Sequence, residues 1–365
     1  MRFLTLLALL AAPSAANGQD LKPLLDPLVE PVLKGKKHVG LVVGVYQAGA
    51  SQVHGYGKVV TPAGDRTPDG RTLFEIGSIT KTFTGLLLAE AVARGEVKLD
   101  DPIAKHLPAD LAFKPHADRV PTLLDFATHR SGFPVQPPYI AATALLAGRT
   151  KNPYSGYDRK ALAATLASLT PDAPGKKSDY SNLGAGLLGH ALVNAAKADS
   201  FNALVQERVA KPLKLRDTTE GPTGEQRARL AVGHDKDGEP TDPWDFACLE
   251  ACGGVRSTAD DLFRYAAANL GDEPTTLTPS LLDAQKPRQS EGGKRKTGLF
   301  WVTMTLPGRD DRIVWHNGGT GGFRTMLVLL PETKTAVVVL CAADRGQAID
   351  KLALDIAAAL MPKAR

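Results

Sequence analysis

Apolar residues recur at helical spacing over Leu21–Leu33, where Leu24, Leu25, Leu28, Val32 and Leu33 share a face. Two strand-like runs follow, Val39–Tyr46 and Gln52–Val60, and the Gln-Ala-Gly-Ala-Ser link between them reads as a hairpin. Residues 83–93 are apolar almost all round: Phe83, Leu86, Leu87, Leu88, Ala89, Ala91, Val92 and Ala93. That pattern belongs to a helix buried on every side, not to one lying on a surface. From 100 to 260 the pattern is mostly helical and broken by Pro and Gly, with helices expected near 159–169, 183–196 and 200–210. Trp301–Leu306, Arg312–His316, Thr325–Leu330 and Ala336–Cys341 then read as strands, and an amphipathic helix near Ile349–Leu360 closes the chain. Both ends therefore supply a sheet region, about 20–75 and 290–365, with a helical region, about 78–260, inserted between them. The fold class is α/β (α+β): a sheet domain plus an inserted all-α region, the two sharing one cleft.

The first residues change this picture only by setting a compartment. Arg2, the apolar run Phe3–Ala12 and the small-residue exit Pro-Ser-Ala-Ala-Asn-Gly have the form of a secretory signal peptide over 1–18, leaving 19–365 as a single catalytic domain. The run is too short to span a bilayer as a mature helix, and no Cys follows it to carry a lipid. An exported protein, periplasmic or secreted, without a stable membrane span is expected. The composition of the 365 residues, 43% hydrophobic and 23% charged, is globular and excludes disordered, collagenous and coiled-coil classes. The net charge of +5 is spread along the chain, with no basic run longer than Lys34-Gly-Lys-Lys or Lys294-Arg-Lys, which argues against a nucleic-acid partner. Export would permit a Cys248–Cys252 disulfide, but the spacing fits buried thiols equally well. The three Cys lack the supporting His spacing of a zinc site, so neither a metal nor another cofactor is expected.

Three short segments carry candidate chemistry. Ser78-Ile-Thr-Lys81 stands at the mouth of the buried helix, where positions i and i+3 share a face, so the Ser hydroxyl and Lys amine can meet. A serine becomes nucleophilic through a nearby base, which a desolvated Lys can be, and the helix N-terminus offers N–H groups where an oxyanion would form. The bland alternative is a capping Ser with an exposed Lys. Tyr180-Ser-Asn182 precedes another apolar helix: a Tyr beside a Lys can shuttle a proton, and the Asn can hold a substrate amide, or it can simply cap the helix. Trp315-His-Asn-Gly-Gly-Thr-Gly-Gly-Phe323 lies between two strand-like runs, and its glycines suggest close backbone approach or merely a hairpin turn. There is no Gly-x-Ser-x-Gly elbow, His-Glu-x-x-His or Walker loop, and His129, His190 and His234 leave a Ser-His-Asp triad open.

In this order the three segments resemble the motifs of the penicillin-recognising serine hydrolases, most closely the class C β-lactamases and AmpH-type penicillin-binding proteins. The resemblance extends through Leu73–Ser78, Phe83-Thr-Gly85, Arg94-Gly-Glu96, Leu99–Pro102, Leu124–Pro134, Lys211–Leu215, Gly253-Gly-Val255 and Thr320–Phe323. It implies a β-lactamase/transpeptidase-like fold, an antiparallel sheet flanked by helices plus the inserted all-α region. It implies Ser78 as acylated nucleophile, Lys81 as proton acceptor and Tyr180 as general base and acid. Asn182 and Gln136 would bind substrate, and the N–H groups of Ser78 and Gly319 would form an oxyanion hole. The third motif departs from the class C pattern Lys-Thr-Gly, with His316-Asn317-Gly318 in its place, so a permanent charge becomes a titratable one. Thr320 or Arg324 could then take over contact with a substrate carboxylate. The implied substrates are β-lactams or peptidoglycan peptides ending in D-Ala-D-Ala, and the expected form is a monomer. Two alternatives stay open: an esterase on the same scaffold, and a catalytically silent muropeptide-binding protein.

Overall fold

The two ends of the chain meet in one eight-stranded antiparallel sheet. It is seen in a computed structural model that describes residues 20–34, 39–146, 151–290, 292, 295–305 and 311–362. The leader expected at 1–18 lies outside the described residues. The strands are β1 Gly40–Gln47, β2 Ala50–Gly57, β3 Phe74–Glu75, β4 Arg256–Ser257, β5 Gln289–Ser290, β6 Lys296–Thr297, β7 Val302–Thr305, β8 Arg312–Gly319, β9 Arg324–Leu330 and β10 Thr335–Cys341. The sheet runs β2-β1-β10-β9-β8-β7-β6-β5, and β3 pairs with β4 apart from it. Helices α1 Lys22–Leu33, α2 Thr80–Ala93, α3 Leu123–Ala127, α4 Pro138–Leu146, α5 Arg159–Ser168, α6 Asn182–Ala196, α7 Phe201–Val205, α8 Gly224–Ala228, α9 Ala259–Asn269, α10 Thr278–Gln285 and α11 Ala348–Leu360 complete the chain.

The central strands are buried on both faces, which is why they read as unbroken hydrophobic runs. Alternation sorts their side chains between two cores. Leu41, Val43, Val337 and Val339 pack with Leu25 and Val29 of α1 and Leu352 and Ile356 of α11. Val42, Val338 and Leu340 face the larger core, with Phe83, Leu86 and Leu87 of α2 and Tyr265 of α9.

Helix α2 is buried all round, as its sequence predicts, and this burial places polar groups inside. Its threonines are satisfied locally: Thr82 Oγ1 donates to Ile79 O at 2.8 Å, Thr84 Oγ1 donates to Ala251 O at 2.8 Å, and Thr80 Oγ1 accepts from Val255 N at 3.1 Å.

One expectation needs correction, and one question the sequence leaves open is answered. The glycine-rich segment is not a connection between strands: β8 runs on through His316, Asn317 and Gly318 to Gly319, and only 320–323 turn. Gly318 lets the strand run on against the loop that precedes Ser78, since a Cβ there would lie 2.0 Å from Ile76 O. The cysteines form no disulfide: Cys248, Cys252 and Cys341 are free thiols, and Cys248 Sγ donates to Tyr157 O at 3.1 Å.

Candidate active site

Ser78 stands in a single 3₁₀ turn, Gly77–Ile79, that feeds directly into α2. The turn is pinned to the sheet from two sides. Thr325 Oγ1 of β9 donates to Ile76 O at 2.9 Å, and Gly77, at φ +51°, brings its backbone against Gly319 at the end of β8. A Cβ at Gly77 would meet Gly319 N at 2.6 Å, so that approach requires glycine.

Lys81, one turn further, is completely buried. Its Nζ meets three oxygens: Asn182 Oδ1 at 2.7 Å, Cys252 O at 2.5 Å and Ser78 Oγ at 3.1 Å. A buried amine thus stands fully hydrogen-bonded beside the hydroxyl without a carboxylate partner in this shell. Tyr180 Oη donates to Ser78 Oγ at 2.6 Å, and Lys81 Nζ lies 4.8 Å from the centre of the Tyr180 ring. Tyr180 is 40% exposed, so one proton-carrying group faces the open cleft while the other lies beneath it.

The loop before α6 explains how Tyr180 and Asn182 are aimed. The helix is capped by Ser181, whose Oγ accepts from Gly184 N at 2.8 Å and donates to Pro134 O at 2.7 Å. With the cap supplied by Ser181, the Asn182 side chain is released to reach Lys81, and its Nδ2 donates to Tyr154 Oη at 3.3 Å. Gln136 joins the same wall, its Nε2 donating to Tyr154 Oη at 3.4 Å.

Two residues of this wall have no counterpart in the sequence reading. Tyr154 is fully buried, and burial holds its phenol well above the ordinary value. The loop containing it carries no periodic or motif signal. His129, considered only as one of several spare histidines, adopts φ +56° and stacks against the Tyr180 ring with centroids 4.5 Å apart. Its Nδ1 accepts from Ser181 N at 3.1 Å, and burial, aided by Lys81 and His316, keeps it well below the usual histidine range. It is a neutral support for Tyr180. Ser78 takes its hydrogen bonds from Lys81 and Tyr180, and His190 Nε2 lies 2.7 Å from Cys248 O, remote from a triad role.

The sheet side of the cleft differs from expectation. His316 is buried, its Nδ1 lies 2.6 Å from Asn317 O, and burial, followed by the nearby Lys81 charge, depresses it to about 3. The titratable charge expected there is instead a neutral imidazole. The Asn317 amide is engaged by Asp350, Nδ2 donating to Asp350 Oδ2 at 2.8 Å. Thr320 is buried, outside the cavity that Ser78 lines with Asn317 and Arg324. The Arg324 guanidinium is paired with Asp344 at 3.0 Å. Among the described residues no cluster of three or more His, Cys, Asp or Glu side chains is arranged to hold a metal ion.

The Beta-lactamase family model matches residues 25–360. The D-alanyl-D-alanine-carboxypeptidase/endopeptidase AmpH of Escherichia coli (strain K12) is 27% identical over 360 residues, covering 93% of this chain and 91% of that protein. A Beta-lactamase of Pseudomonas fluorescens is 28% identical over 361 residues, covering 88% and 93%. A class C beta lactamase from Rhodobacter sphaeroides superposes with a TM-score of 0.78 at 24% identity, covering 92% of this chain and 99% of the other. A second class C beta-lactamase reaches 0.81 at 22% identity, covering 93% and 96%. At these identities the structures establish the fold, a β-lactamase-like antiparallel sheet with helices.

Proposed function

Because the chain belongs to the Beta-lactamase family, and is therefore a serine hydrolase, we propose that it is acylated at Ser78 and hydrolyses amide bonds of the β-lactam or D-alanyl-D-alanine type. The single observation that carries this reading is the pair of short contacts on Ser78 Oγ, from Lys81 Nζ at 3.1 Å and Tyr180 Oη at 2.6 Å. Ser78 Oγ attacks the carbonyl carbon and its proton passes to Lys81 in its neutral amine form or to Tyr180 as a phenolate. The N–H groups of Ser78 and Gly319 stabilise the oxyanion, the C–N bond breaks, and Tyr180 returns the proton to the departing nitrogen. Water then cleaves the Ser78 ester with the same groups acting in reverse. Asn182 and Gln136 bind the acyl part. The leader-like residues 1–18 support export to the periplasm or beyond.

The test is intact-mass spectrometry with a fluorescent penicillin. The wild-type chain gains one adduct and Ser78→Ala gains none; labelling that persists in the variant removes Ser78 as the nucleophile. A second reading, a carboxylesterase on the same scaffold, draws support from the neutral His316 and the committed Asn317. Nitrocefin and p-nitrophenyl butyrate assayed side by side separate the two: turnover of the ester alone selects the esterase.

A further inference from the structure

Beside the cavity that Ser78 lines there is a second one, of about 270 Å³. Tyr180 links the two: it lines the second, and its Oη donates to Ser78 Oγ at 2.6 Å. Asn317 lines both. Arg295, immediately before β6, brings a guanidinium into the second cavity, 5.2 Å from the centre of the Trp315 ring. Among the described residues, no Asp or Glu side chain lines this cavity. Its two imidazoles, His129 and His316, are neutral, burial being the first cause and the charges of Lys81 and Arg295 adding to it. Ser178 adds a hydroxyl to the same wall. The cations nearer Ser78 are placed differently. Arg324 pairs with Asp344 at 3.0 Å, donates to the carbonyls of Thr320 and Phe323, and shares its cavity with Asp350. Lys81 is completely buried and meets three oxygens. Arg295 lies outside all three motif segments.

We propose that Arg295 sets the specificity of the site by receiving the substrate carboxylate that lies one carbon from the scissile nitrogen, in the cavity beyond Tyr180. The proposal rests on Ser78 as the acylated nucleophile and deepens that reading. Asn182 and Gln136 are joined through Tyr154 on the helical wall, where the acyl part binds. The departing nitrogen then faces Tyr180, which returns its proton, and the carboxylate next to it points into the cavity that Arg295 lines. A guanidinium keeps its charge at every working pH, stacks on an aromatic face and is matched in shape to a carboxylate. The neutral His316 has no charge to offer, and Thr320 and Arg324 are buried elsewhere or paired. The carboxylate contact expected of those two residues thus falls to one that no motif contains. An ion pair in such a half-open site is worth on the order of 10- to 100-fold in rate.

Benzylpenicillin and its methyl ester differ only in that carboxylate, and time-resolved intact mass reads acylation of Ser78 by each. The wild-type chain is expected to acylate faster with benzylpenicillin, by about 10-fold or more. Arg295→Ala should bring the two rates to within about 3-fold, by slowing benzylpenicillin and leaving the methyl ester unchanged. Arg295→Lys should keep a preference of the same sign, and Arg295→Glu should reverse it. Lys296→Ala removes the adjacent exposed cation, which does not line the cavity, and should leave the ratio as in wild type. Thermal melting checks the fold of each variant. The wild-type ratio should also shrink as salt rises from about 0.05 M to about 1 M, a measurement that needs no variant to fold. Equal or reversed wild-type rates, a ratio unmoved by Arg295→Ala in a folded chain, or an equal shift from Lys296→Ala overturn the proposal. An absence of adduct from both donors, with Ser78→Ala indistinguishable from wild type, is the separate failure of the nucleophile reading and carries this inference down with it.

Discussion

The two walls of the cleft are built on different principles. The helical wall, Ser78, Lys81, Tyr180, Asn182, Tyr154 and Gln136, is a closed network in which each polar group named finds a partner in the same wall. The sheet wall ties its polar groups to α11 and the segment before it: Asn317 to Asp350 and Arg324 to Asp344. A buried network of the first kind holds a single geometry, because any displacement leaves a desolvated donor or acceptor unmet. The second kind adds nothing to the hydrogen bonds of the Ser78 hydroxyl, both of which come from the helical wall.

The substitution that breaks this contrast most severely is Lys81→Ala. It removes the proposed proton acceptor and also leaves Asn182 Oδ1 and Cys252 O without their donor, so acylation should fall by roughly 10²–10⁴-fold. His316→Asn on the opposite wall should cost about 10-fold or less by the same labelling measurement. Comparable losses from both would mean that the walls are not separable. Tyr180→Phe comes next. It keeps the ring that packs on His129 and Lys81 but deletes the hydroxyl, so roughly 10²-fold in kcat/KM should be lost with the melting temperature nearly unchanged. A large drop in Tm would show that the phenol is structural.

The helical wall was also the more legible in the sequence. Ser78 and Lys81 are related by one helical turn, and Tyr180 and Asn182 by the start of one helix, so local periodicity suffices to find them. The resemblance added their roles and the pairing of the two segments. Tyr154 was not legible, because its place depends on a loop packing onto α6 and Phe246, which no periodicity encodes. The end of β8 was misjudged for a related reason. Glycines at 318 and 319 normally interrupt a strand, and only contact with the Ser78 turn reveals why they continue one. The charge on His316 was misjudged because its burial arises from tertiary packing.

Those glycines sharpen the boundary between the walls. A Cβ at Gly318 would lie 2.0 Å from Ile76 O, a backbone atom that can shift only by moving the Ser78 turn. Gly318→Ala should therefore cost about 1–3 kcal/mol and lower acylation together with stability. A Cβ at Gly319 would meet Arg324 Nη1 at 2.3 Å, the far end of a flexible side chain. Gly319→Ala should melt within a degree or two of wild type. Urea midpoints for the pair check this, and equal losses would mean that the strand end, not the Ser78 turn, is the rigid element.

The smallest effect tests whether His316 is uncharged. His316 has a folded value of about 3 against an ordinary value near 6.5 in the unfolded chain. Between those limits the unfolded chain binds a proton that the folded imidazole refuses, so the stability it contributes is complete above pH 6.5 and drains away as pH falls toward 3. His129, buried and depressed in the same direction, adds to the same acid limb and remains in any variant at 316. Replacing His316 with Asn should then flatten the decline of unfolding free energy between pH 6 and pH 4 by up to about 1.4 kcal/mol per pH unit, without changing its sign. Urea denaturation of both chains at pH 7, 6, 5 and 4 measures the two slopes. Identical slopes would mean that the folded protein accepts the proton on His316. The sheet wall would then carry a cation there, and its electrostatics would vary with pH.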